Sequence, residues 1–109
     1  MAGIAQYQLS VAGGGRQAAT TAGTAIQLST TSVPCSVVML QAVSSNTACI
    51  VVCNSTAYAS TGASRVGLPI WAGSTNPAVT VYTTDLQNVY IDGVSTDAVT
   101  FVYYRQTNP

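Results

Sequence analysis

Nowhere in these 109 residues do apolar side chains recur at a helical spacing. Short runs rich in valine, isoleucine, threonine and tyrosine are instead cut every few residues by glycine, proline, asparagine or serine. A chain punctuated in this way buries its apolar residues in strands, and strands this short need several partners. Eight of them can be read. Residues 6–11 alternate, with Tyr7, Leu9 and Val11 on the apolar side. Residues 24–28 place Ile26 and Leu28 inward, and 35–43 and 48–54 are apolar on both faces, as strands covered on both sides are. Residues 68–71, 78–83, 89–92 and 99–105 complete the set, the last with Val99, Phe101 and Tyr103 on one face and Val102 and Tyr104 on the other. Helix is limited to one turn within residues 84–88.

This pattern predicts an all-β, single-domain β-sandwich of the jelly-roll kind, with about eight short strands. Gly13, Gly14 and Gly15, followed by a run of Gln, Ala and Thr without period, read as a loop or hinge. The expected organisation is therefore an N-terminal strand and flexible Gly/Ala/Thr-rich arm over residues 1–23 and a sandwich over 24–109. Pairing of 37–43 with 48–54 as a hairpin around Ser44, Ser45 and Asn46 is also expected.

Only six residues are charged: Arg16, Arg65, Arg105, Asp85, Asp92 and Asp97. With net charge zero and the cations dispersed, there is no basic stripe for phosphates or anionic lipid, so neither nucleic acid nor membrane is an expected partner. The opening residues carry no basic start followed by an apolar run, so no secretory signal is expected. A surface with 6% charged residues lacks the repulsion that keeps monomers apart, which favours a permanent assembly.

No histidine, lysine or glutamate is present, so most proton-transfer and metal-ligating chemistry has no carrier. The three aspartates are read as turn caps rather than as a glycosidase pair, and serine nucleophiles have no general base to activate them. Calcium on Asp92 and Asp97 is the weaker alternative. The expectation is a protein that is not an enzyme and has no catalytic residue, cofactor or metal. Cys35, Cys49 and Cys53 are odd in number. Cys49 and Cys53 lie about 13 Å apart along one strand face and cannot bridge. A Cys35–Cys53 bridge stays open, with buried thiols favoured.

Six tyrosines against one phenylalanine point to surfaces that pack a ring and keep a polar tip. Tyr82, Tyr90 and Tyr104 fall opposite the inferred core residues and, with Tyr7, are the candidate protein-interface residues; the alternative is that they cover the second face of a sheet. Trp71 is read as a plug at the sandwich end in preference to a platform for sugar stacking.

The succession of Val33, Pro34 and Cys35, the apolar stretch 37–52, Gly67-Leu68-Pro69-Ile70 before Ala72-Gly73, residues 85–93, and 99–105 resembles small virion structural proteins of tailed bacteriophages. The likeness spans residues 24–105. It implies a non-enzymatic capsid decoration or cement protein, a homotrimer bound to the major capsid protein of a virion assembled in the bacterial cytoplasm. Alternatives are a tail, baseplate or fibre-attachment protein of the same particle, partnered by a tail protein, and a carbohydrate-binding jelly roll using Trp71 and Tyr58.

Overall fold

A computed structural model describes residues 8–59, 64–71 and 78–107. Eight strands are present among the described residues: β1 (Gln8–Ala18), β2 (Ile26–Gln27), β3 (Val37–Ala42), β4 (Ile50–Cys53), β5 (Leu68–Ile70), β6 (Val79–Tyr82), β7 (Tyr90–Asp92) and β8 (Ala98–Thr107). They form two four-stranded sheets in the orders β1-β8-β3-β6 and β2-β7-β4-β5. Every pairing between them is antiparallel. Odd and even partners are interleaved so that the chain crosses from sheet to sheet at most connections, which is the strand order of a jelly roll. A 3-10 turn, Leu86–Asn88, lies inside the segment expected for it.

Registers show how the sandwich is filled. Across the first sheet the inward rows are Gly13, Tyr103, Val38, Val81 and then Gly15, Phe101, Leu40, Val79. From the second sheet Ile50, Val52, Ile70 and Ile91 meet them in one core with Leu28, Leu86 and Val89. Alternation along each strand makes this possible, since every second residue points to the same side.

Two expectations about the chain's course are corrected. Residues 13–18 are not a hinge: β1 runs through the glycines and pairs with β8 as far as Ala18↔Ala98. Glycine is required there because large rings of β8 lie on the backbone. A Cβ on Gly13 would fall 2.6 Å from the Tyr103 hydroxyl, and one on Gly15 would fall 2.9 Å from Cζ of Phe101. A register shift between Val11 and Gly13 turns the strand, so the apolar side of residues 8–11 faces outward and Leu9 and Val11 are exposed instead of half-buried.

Second, β3 and β4 are not a hairpin. β3 pairs with β8 and β6, whereas β4 pairs with β7 and β5. The link between them crosses the sandwich and is fixed by the Asp97 carboxylate, which accepts from the backbone N–H of Thr47 (2.9 Å) and of Ala48 (3.0 Å). Asn46 completes the clamp by exchanging two 2.8 Å bonds with the backbone of Ala98.

Candidate functional site

The two outer faces of the sandwich are treated differently by the chain. On the second sheet, Val51 and Asp92 point away from the core, yet both are shielded from solvent. Part of the cover is the long β4–β5 connection, which folds back over this face: Tyr58 and Val66 bridge each other, Ala57 is buried, and the Ala59 N–H donates to Asp92 at 2.7 Å.

Nothing comparable covers the first sheet among the described residues. Its outward rows are Val11, Tyr104, Val37, Tyr82, then Gly14, Val102, Met39, Thr80, then Arg16, Thr100, Gln41, with Leu9 and Gln106 beyond. Of these, Val37 is buried and Tyr104 half-buried, whereas Val11 is 67% and Tyr82 82% exposed, and Leu9, Met39 and Val102 are also open to solvent. Arg16 is the only charged residue in those rows. Contiguous apolar faces of this kind on a sheet mark contact surfaces.

The structure therefore sorts the four tyrosines. Tyr82 and Tyr104 share one outward row, separated by Val37. Tyr90 lies on the outer face of the other sheet, opposite Gln27 and Cys53, and is half-buried, so it does not join them. Tyr7 lies outside the described residues. Sequence reasoning missed Leu9, Val11 and Met39 as members of this surface. The two-faced apolarity of residues 35–43 carried the signal for Met39, while the register shift in β1 hid the other two.

The three carboxylates are bound into loops. Asp85 caps the 3-10 turn through Gln87 N–H at 2.8 Å, accepts from Val33 N–H at 2.9 Å, and is also bonded by the Ser32 hydroxyl. Those donors, the Ser32 hydroxyl first, hold its carboxyl below the ordinary aspartate range. Asp97 clamps residues 47–48, and Asp92 accepts from Gly23 N–H (3.0 Å) and Ala59 N–H. Each thus satisfies backbone donors of a connection, but only Asp85 caps its own turn as expected, whereas Asp92 and Asp97 accept from segments distant in the chain. Among the described residues there is no group of three or more His, Cys, Asp or Glu able to hold a metal.

All three cysteines are unbridged; Cys35 and Cys49 are buried and Cys53 is half-exposed. Burial, and then the negative charge of Asp85, push the Cys35 thiol upward against a smaller opposite effect of Arg105.

A second candidate is a cavity of about 390 Å³ lined by Gly23, Cys49, Tyr58, Arg65, Trp71 and Asp92, among others. Trp71 is not the plug expected: half of its surface is exposed, and its ring carries the Arg65 guanidinium 5.4 Å from the centroid. It lies just beyond the C-terminal end of edge strand β5, outside the space between the sheets, which branched aliphatic residues already fill.

Comparison of the chain with protein-family models, with curated proteins and with solved structures finds no match.

Proposed function

We propose that the protein is a non-enzymatic structural subunit of a bacteriophage particle, a decoration or cement protein that self-associates as a homotrimer and bridges major capsid subunits. The observation that carries this reading is the asymmetry between the two sheets. One outer face is partly covered by the chain's own β4–β5 connection over Asp92, and the other presents Val11, Met39, Tyr82 and Val102 uncovered. An apolar, nearly uncharged sheet face of that composition is stabilised by partner contact and is a liability without it.

The mechanism is adhesion over area. A standard interface buries roughly 1,600 Å² in total, and linking several such contacts in one oligomer multiplies their effect. The likeness of residues 24–105 to small virion proteins supplies the setting, and the jelly-roll strand order is one that viral shells use. No proton-transfer step is invoked, because each aspartate is occupied by backbone donors.

Mass analysis of the intact particle tests the assignment. A copy number that scales with the capsid lattice, together with release of the subunit as a trimer, is expected. A copy number set by the tail's symmetry would move the protein to the tail or baseplate, and its absence from purified particles would overturn the reading.

A further inference from the structure

We propose that the uncovered faces of three copies close on one another as a triangular prism, each first sheet forming one wall and the β6 edge of one copy lying against the β1 edge of the next. This rests on the homotrimer reading above and says how its copies join. In the sheet order β1-β8-β3-β6 the two outer strands are β1 and β6, and among the described residues neither pairs with a strand on its outer side. Neither carries lysine or proline, the residues that commonly blunt such an edge.

Symmetry and strand direction select this contact. A two-fold contact joins one patch to itself, whereas a three-fold ring needs two different patches that meet head to tail. The β1 and β6 edges are such a pair, on opposite sides of one sheet. Successive strands of this sheet alternate in direction, so β1 and β6 run oppositely. Rotation about an axis parallel to the strands preserves their direction, and β6 therefore meets the next copy's β1 as an antiparallel neighbour. The register shift between Val11 and Gly13, with the glycines after it, lies on this edge strand, and bulges with glycine are the means by which sheets turn corners.

The exposed residues fall where this closure covers them. Tyr82 and Val11 are the two most exposed large hydrophobic side chains among the described residues, and they end the same outward row, one on β6 and the other on β1. Closure brings them side by side across the joined edges, an aromatic ring against a β-branched residue. Met39 and Val102, in the next row, then face the axis. Width sets the number of copies. Four strands at about 4.8 Å span roughly 19 Å, which puts each wall of a three-sided prism about 5.5 Å from its axis, close to the half-thickness of about 5 Å in face-to-face sheet packing. Four walls of that width would stand roughly 10 Å from the axis and leave a void, which close packing does not tolerate. The row at one end, Arg16, Thr100 and Gln41, is polar and lies at a mouth of the prism.

Cross-linking tests the contact. The full chain carrying Cys53→Ser, which removes the half-exposed thiol, would be given Val11→Cys, Tyr82→Cys or both, and treated with a short bismaleimide. The double variant should give covalent product that stops at three chains, and each single variant should give none. Hydrogen exchange needs no introduced cysteine: residues 8–12 and 79–82 should both exchange at least about tenfold more slowly in the assembled wild type than in dissociated Met39→Glu. Linked pairs from Val11→Cys alone would mean a two-fold contact between β1 strands, and product growing past three chains an open filament; either overturns the proposal. A native trimer with neither cross-link nor edge protection would overturn it while leaving the homotrimer reading in place, and a monomer at every concentration would remove both.

Discussion

Gly15 of β1 lies directly beneath the ring of Phe101 on β8, with room for no more than a hydrogen between them: a Cβ would sit 2.9 Å from Cζ of the ring. Phe101 is itself buried in the sandwich core, so the ring has little freedom to withdraw. Gly15→Val should therefore destabilise by about 1–3 kcal/mol through overpacking, lowering Tm by on the order of 10 °C. Thermal unfolding followed by circular dichroism reads this directly, and an unchanged Tm would mean that residues 13–18 do not pair with β8.

The Asp97 clamp makes a graded prediction. Its carboxylate is buried and accepts from the N–H groups of Thr47 and Ala48. Asp97→Ala leaves both donors without a partner and should cost about 2–3 kcal/mol, whereas Asp97→Asn keeps one acceptor oxygen and should cost less. Urea unfolding of the two variants would rank them.

A pH dependence follows from Asp85. Hydrogen bonds from Ser32, Gln87 and Val33 depress its folded-state pKa below the unfolded value of about 3.9. Its contribution to stability is fully present above that unfolded value and is lost as pH falls through the lower folded value. Asp85→Asn should flatten the acid limb of the stability profile by lowering stability at neutral pH while changing little at pH values below the folded-state pKa; a parallel loss at every pH would contradict this.

The thiols should separate by accessibility. Native alkylation is expected to modify Cys53 and spare Cys35 and Cys49, and unfolding in denaturant should expose all three. Mass spectrometry of the labelled protein counts them. A Cys35–Cys53 bridge would instead leave both unlabelled until reduction.

The strands were legible in the sequence because alternation and turn chemistry are local. The short elements at Leu68–Ile70, Val79–Tyr82 and Tyr90–Asp92 and the turn at Leu86–Asn88 fall where those signals put them. Pairing was not legible where both faces of a strand are apolar. Residues 37–43 and 48–54 have the same pattern whether they form a hairpin or cross the sandwich, and the Asp97 clamp that decides it lies about fifty residues away. Gly13, Gly14 and Gly15 misled for a related reason. Glycine signals mobility in isolation, and its use as a seat for Phe101 and Tyr103 appears only once β8 lies alongside.

The association face itself is tested by light scattering on the purified protein, wild type and with Met39→Glu or Tyr82→Asp, in salt from about 0.1 to 1 M. Both residues point away from the core on the uncovered sheet, and both variants should remain folded. The prediction is a trimer whose mass does not fall with added salt, because apolar contact is not screened, and dissociation to monomers in either variant. A wild-type protein that is monomeric at every concentration, or variants that assemble as the wild type does, would contradict the claim that this face is built for contact.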